Sequence, residues 1–232
     1  MLLSLLVACG SDYAVKNICV ESADGFDVEA VSTLQDAAGY PDARDAVVLD
    51  FDAAALPEGA TWRVTRVDLL AMVPEWVFDR YEGGGARRVD VWDGERPRGD
   101  GDWHVSRALA PSELDWERTT LPRDAFWASQ RDELEQRRAW MSFDFADVIP
   151  QEGMGSGAYT VAVSWNGDGL PTIGYSNFNL ACGRNWTDYG DGSWTLNSAD
   201  GDGDACSWPM MRVAIETRTP TDGGCAETTT SI

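Results

Sequence analysis

Along much of this chain apolar and polar residues alternate singly, the period of a β-strand with one face in a core. The clearest case is residues 158–165, where Tyr159, Val161, Val163 and Trp165 share one face and Ala158, Thr160, Ala162 and Ser164 the other. Residues 45–52 set Val47, Leu49 and Phe51 against Val48, Asp50 and Asp52. The run 61–73 is longer and falls out of step with itself: Trp62 and Val64 have one parity, Val67, Leu69 and Ala71 the other. A bulge near Arg66, or a strand passing between two sheets, restores one continuous apolar face. Shorter runs of the same kind lie at 18–20, 87–92, 103–109 and 139–148, and a last one is centred on Met211, Val213 and Ile215. Residues 27–34 give no clear period.

Clusters of Pro, Gly, Asp and Asn separate these runs as turns, at 57–59, 82–85, 97–102 and 150–157. One segment breaks the alternation. Residues 132–138, Asp-Glu-Leu-Glu-Gln-Arg-Arg, are good helix formers, and Glu133 and Glu135 are spaced to meet Arg137 and Arg138. They predict a short inserted helix near 129–138. Eight or more strands with turns between them predict an all-β fold, an antiparallel two-sheet β-sandwich forming a single domain over 18–218. Residues 219–232 read as a loose tail held at Cys225. The ordered set Trp62-Arg-Val64, Val89-Asp-Val-Trp-Asp-Gly94, Met141-Ser-Phe-Asp-Phe145 and Ser156-Gly-Ala-Tyr-Thr-Val161 resembles the jelly-roll modules of many secreted bacterial proteins, some of which bind carbohydrate. That resemblance implies a jelly-roll-like sandwich; it implies no particular activity, because such folds host many.

The opening residues end a short apolar run in Leu6-Val7-Ala8-Cys9, which resembles the lipobox of bacterial lipoprotein signals. The resemblance implies a signal peptide over 1–8, lipidation of Cys9, and residues 9–17 as a lipidated tether. It also implies a membrane partner through that lipid, and an address in the bacterial cell envelope: an outer-membrane lipoprotein, or one at the cell surface or in the periplasm. The run is too short to span a bilayer as a helix. Removing Cys9 from the five cysteines leaves Cys19, Cys182, Cys206 and Cys225, which can pair completely in an oxidising compartment. The expected bridges are Cys182–Cys206 and Cys19–Cys225. Without CxxC spacing, and with His104 the single histidine, these cysteines do not read as a metal centre.

Charge narrows the partners. A formal net charge of -21, from 39 acidic and 18 basic residues, argues against nucleic acid, whose binding rests on neutralising phosphates. Direct adhesion to anionic lipid or polysaccharide is disfavoured unless a divalent cation bridges. The main consequence of the acidity is solubility.

Candidate chemistry concentrates in residues 177–208, which read as a large decorated loop closed by Cys182 and Cys206. Trp186, Tyr189, Trp194 and Trp208 occur there with Asn177, Asn179, Asn185 and Asn197. Flat rings stack on sugars and amides bond sugar hydroxyls, so the composition suits a glycan; packing under a long loop is the commoner fate of such indoles. Asp200, Asp202 and Asp204 alternate with glycines, a spacing that can aim several carboxylates at one calcium ion, with Asp188 or Asp191 completing the shell. The EF-hand register fails, because Ala205 and Met211 stand where Gly and Glu are required, and a solvated Asp/Gly turn is the plainer reading. No Ser or Cys has a recognisable triad context, and neither the G-x-S-x-G spacing nor a phosphate-binding Gly loop ending in Lys-Ser/Thr occurs. A glycosidase would need one carboxylate pair, sought among Asp144, Asp147, Glu75 and Asp79. The expectation is a non-catalytic extracytoplasmic binding module, carbohydrate-directed and calcium-assisted. The alternatives are a structural envelope protein that contacts other proteins, and a glycoside-active enzyme using paired carboxylates.

Overall fold

Thr61–Pro74, the longest apolar run in the pattern, is the strand on which the larger sheet is built in the computed structural model. The structure describes residues 13–21, 30–32, 44–83, 87–108, 110–121, 134–155, 157–164, 171–176, 184–196 and 208–220. In chain order these form β1 (Tyr13–Glu21), β2 (Ala30–Ser32), β3 (Arg44–Asp50), β4 (Thr61–Pro74), the short helix α1 (Glu75–Phe78), β5 (Arg87–Asp93), β6 (Trp103–Arg107) and β7 (Glu117–Leu121). There follow β8 (Leu134–Asp144), β9 (Ala158–Ser164), β10 (Thr172–Ser176), β11 (Asn185–Asp188), β12 (Trp194–Leu196), β13 (Trp208–Pro209) and β14 (Met211–Pro220). They make two antiparallel sheets, one of eight strands and one of six, so the expected all-β sandwich is the fold.

One edge of β4 serves two partners. β14 pairs with it from Thr61 to Leu69, and β10 takes over at Ala71 and Met72. Met210 sits at the hand-over: its carbonyl accepts from the Leu70 amide at 3.0 Å and its amide donates to the Gly174 carbonyl at 2.8 Å. The other edge of β4 pairs with β8, which in turn pairs with β7. β1 flanks β14, while β2 and β13 pair with β10. The smaller sheet runs β12-β11-β3-β9-β5-β6. Its central β9 is buried along its whole length, on both faces.

The expected bulge lies in β4. Arg66 opposes Ala214 and Val64 opposes Ile215, which leaves Thr65 as the extra residue. The shift brings Val64 and Val67, three residues apart, into the same core. Thr65 is held in place by its hydroxyl, which donates to the Ala214 carbonyl at 3.2 Å, and by its own carbonyl, which accepts from the Phe145 amide at 2.8 Å. Between the sheets Val47, Val91, Val161 and Val163 meet Leu69, Met141, Phe143 and Val213. Trp62 closes one end of this core, its ring 4.5 Å from Phe51 and 5.7 Å from Tyr159.

Other expectations are corrected. Residues 134–138 of the predicted helix are the first part of β8, laddered to β7 and to β4; residues 129–133 lie outside the described ones. Helix propensity differs among ordinary residues by only tenths of a kcal/mol, whereas this strand gains a ladder on both edges and buries Gln136 and Ala139. Its arginines pair with other elements and not along a helix: Arg137 with Glu75 at the start of α1 and Arg138 with Glu117 on β7. The decorated loop is partly sheet, since β11, β12 and the start of β13 fall within it. β1 begins at Tyr13, inside the stretch read as a tether, and β14 continues to Pro220. Cys19 lies in β1 opposite Ala214; Cys9, Cys182, Cys206, Cys225 and Trp165 lie outside the described residues, and with them both expected bridges.

Arg63, on β4, ties the turn after β8 to the sheet. Its side chain is 8% exposed; Nε donates to Glu216 Oε1 at 2.9 Å, and Nη1 donates to the carbonyls of Ala146 and Ile149, each at 2.8 Å. Glu216 Oε1 also accepts from Arg218 Nε at 2.8 Å. Burial pushes the Glu216 carboxyl up, but the hydrogen bonds from Arg218 and Arg63 together outweigh it and hold the group below the usual glutamate range. Arg63→Met strands two carbonyls while leaving Arg218 on Glu216. Denaturant titration is expected to show a loss of about 3 kcal/mol. Because Glu216 has its lowered pKa only in the fold, its contribution is complete above the unfolded value and lost as pH falls through the folded one. Glu216→Gln is therefore expected to flatten part of the acid limb of Tm against pH, leaving the neutral slope unchanged.

Candidate functional site: the outer face of the smaller sheet

On the sheet's outward face the register sets Trp194, Asp188, Arg44, Ser164 and Arg88 in one row across the strands. The next row is Leu196, Trp186, Ala46, Ala162, Asp90 and His104. Ala46 and Ala162 are too small to cover the face, and Trp92, Trp186 and Trp194 gather over them as an apolar cluster separate from the core. Trp92 meets Trp194 edge-on, with centroids 5.6 Å apart and planes at 86°.

The loop between β5 and β6 seats these rings. Trp92 Nε1 donates to the carbonyls of Asp100 at 3.0 Å and Arg98 at 3.3 Å, and Trp194 Nε1 donates to the Gly99 carbonyl at 3.3 Å. Close approach requires glycine at 101, where a Cβ would come within 2.8 Å of both Cβ and Oδ1 of Asp90.

A chain of ion pairs runs beside the indoles. Asp90 is fully buried, and its Oδ1 accepts from Arg88 Nη2 at 2.6 Å, Arg88 Nε at 3.1 Å and the Gly101 amide at 2.9 Å. Its Oδ2 takes no hydrogen bond. Asp100 joins the two arginines, 3.3 Å from Arg44 and 3.4 Å from Arg88. Arg44 donates to Asp188 Oδ2 from Nη2 at 2.6 Å and from Nε at 3.0 Å, and its guanidinium lies 4.8 Å above the Trp194 ring.

The expected ligand residues divide. Trp186 and Trp194 share the outward face, each half-buried, with Arg96 5.2 Å above the Trp186 ring. Tyr189, 50% exposed, stands at the tip of the β11–β12 hairpin, and Leu196, opposite Trp186 at the far end of β12, is 40% exposed. Asn185 does not join them: it opposes Val47, points with it to the inner side, and is buried. Asn177, Asn179, Asn197 and the Trp208 side chain lie outside the described residues.

Among the expected calcium ligands, Asp188 is already spent. Its Oδ1 accepts from the amides of Gly190 at 2.9 Å and Gly192 at 3.0 Å, so with the two bonds from Arg44 all four lone-pair positions are filled. Asp191 is exposed and accepts from the Ser193 amide at 2.8 Å. Asp200, Asp202 and Asp204 lie outside the described residues. Among the described residues no group of three His, Cys, Asp or Glu side chains could hold a metal.

The acids considered for glycosidase chemistry are split by the β4–β8 register. Asp144 opposes Arg66, while Glu75 follows Pro74, eight residues further along β4 and so about 26 Å away. For Asp144 with Glu75 that exceeds the roughly 5–9.5 Å a catalytic pair requires. The hydrogen bond from Arg137 holds the Glu75 carboxyl below its usual range, the opposite of what a general acid needs.

Sequence reasoning missed Trp92, Arg44, Arg88 and Asp90. Their signal is the parity opposite Val47, Val89 and Val91. The chain matches no known protein family, curated protein or solved structure.

Asp188→Ala leaves two turn amides without their acceptor and Arg44 with only the exposed Asp100. It is expected to cost about 3–5 kcal/mol in urea titration and to weaken the near-UV circular dichroism of the indole cluster. Asp188→Asn should recover only part of the loss.

Proposed function

We propose that the protein is a non-catalytic binding module of the bacterial cell envelope, lipid-anchored at Cys9, that takes a carbohydrate on the outer face of its smaller sheet. The observation that carries this reading is the position of Trp186 and Trp194: they lie outside the core, with Tyr189 and Leu196 exposed beside them. Each indole packs one side on the cluster over Ala46 and Ala162 and leaves the rest of its ring half-exposed. Aromatic faces at a sheet surface offer the C–H groups of a sugar ring a stacking platform. Arg44, Trp92 and the Gly99 carbonyl hold the Trp194 ring in advance, which limits the entropy lost on binding.

In this reading calcium is held by Asp200, Asp202 and Asp204, with Asp191 the nearest further carboxylate in sequence and Asp188 excluded. A protein partner is the second reading. It is favoured by β12, an edge strand that carries Trp194 and Leu196 on one face and can pair with an added strand.

The test is a glycan array read in calcium and in chelator, followed by titration of the best sugar. Trp186→Ala is expected to weaken binding about tenfold while leaving Tm within a few degrees. An array empty in both conditions removes the carbohydrate reading and leaves the protein partner. Chelator should lower the melting midpoint; an unchanged midpoint removes calcium.

A further inference from the structure

The stretch between the lipobox cysteine and the fold is short. β1 starts at Tyr13, so Gly10, Ser11 and Asp12 alone separate Cys9 from a residue fixed opposite Pro220. Four Cα steps extend to about 14 Å at most. A lipid on Cys9 keeps that residue at the headgroups, and Tyr13 must then lie within this distance of the bilayer.

Tyr13 marks one end of the sandwich. Pro220 is there, and Gly59 lies so close to it that a Cβ would sit 3.3 Å from Pro220 Cγ. Gln151 is there too, accepting from Arg218 Nη1 at 2.7 Å and, through its carbonyl, from the Thr61 hydroxyl at 3.4 Å. Phe51, stacked on Trp62, puts the Asp50 end of β3 at the same level. From Asp50 to Arg44 β3 climbs about 20 Å. Arg44 grips Asp188, and so the β11–β12 turn stands at the opposite end.

We infer that the sandwich stands end-on at a lipid surface, the turns at 57–61 and 150–153 toward the headgroups and the β11–β12 turn held away from them. This orientation rests on lipidation at Cys9, part of the proposed function. Charge supports standing over lying flat. With a net charge of -21 the chain is repelled by anionic headgroups, and an upright domain carries the acids of the β11–β12 end, Asp100, Asp188 and Asp191 among them, beyond the Debye length of about 8 Å. The lower end bears exposed Asp52, Glu58 and Glu152, which oppose insertion and hold that end off anionic headgroups as far as the tether allows. The partner is the lipid surface itself, and the hairpin with its aromatic face is left free for a second ligand.

The full-length lipidated protein, reconstituted in vesicles of zwitterionic and anionic phospholipid, provides the test. A donor dye is coupled to an azide-bearing residue placed at Glu58 or at Asp191, both exposed, and a headgroup-labelled lipid serves as acceptor. Energy transfer from position 58 is expected to exceed that from position 191. A flexible Gly/Ser spacer inserted between Asp12 and Tyr13, outside the fold, is expected to shrink the difference. Equal or reversed transfer with Cys9 lipidated overturns the orientation and leaves the lipoprotein reading standing. A difference that survives the spacer unchanged overturns the tether as its cause. An intact mass lacking lipid on Cys9 overturns both the lipoprotein reading and the orientation built on it.

Discussion

The fold depends on one hydrogen-bonding constraint, that β4 must satisfy both of its edges along its full length. A strand in mid-sheet cannot leave amides and carbonyls unpaired without a penalty of roughly 1–3 kcal/mol for each buried group. β4 meets the constraint by dividing one edge between β14 and β10, with Met210 as the joint, and giving the other to β8 from Arg66 to Pro74, beyond which the Phe145 and Met154 amides donate to the Thr65 and Trp62 carbonyls. The Thr65 bulge is the companion device. It lets the same strand present Val64 and Val67 to one core although their spacing alone would send them to opposite faces. Arg63 then closes the corner where β8 leaves the sheet, supplying donors to carbonyls that the turn itself cannot pair.

The smaller sheet meets a different demand. Its central strand is buried on both faces, so its outer side needs a cover, and the chain makes one from its own indoles and the loop after β5. Charged groups enter this cover only in combination. Arg44 and Arg88 are shared by Asp188, Asp100 and Asp90, and the guanidinium of Arg44 also lies on the ring of Trp194. Removing one member of such a set leaves its partner buried and uncompensated, which is why it acts as a unit.

Where side chains alternate over six or more positions, the sequence was readable. β3, β4, β5 and β9 could be placed from period alone, and the bulge could be read from a change of phase. β7, β10, β11, β12 and β13 could not, because strands of two to five residues offer too few positions to distinguish a period from a turn. The start of β8 was misread for another reason: Glu, Gln and Arg have a helical preference, and tertiary pairing overrode it. At the site, composition singled out Trp186, Trp194 and Asp188. It could not disclose that Asp188 serves Arg44 and two turn amides, since the guanidinium comes from 144 residues away in the chain. Asn185 was grouped with the indoles by proximity in sequence, and its parity puts it on the other side of the sheet.

β1 lies beside β14 over its whole length of nine residues, from Tyr13 opposite Pro220 to Glu21 opposite Arg212. A pull on the chain ahead of Tyr13, directed along β1, would have to slide the strand past its neighbour. It cannot lift the strand off one bond at a time. The whole ladder then resists together, in shear, and not by peeling from an end. The strand that joins the N-terminus to the fold is thus also a mechanical clamp, oriented to withstand tension arriving from that terminus.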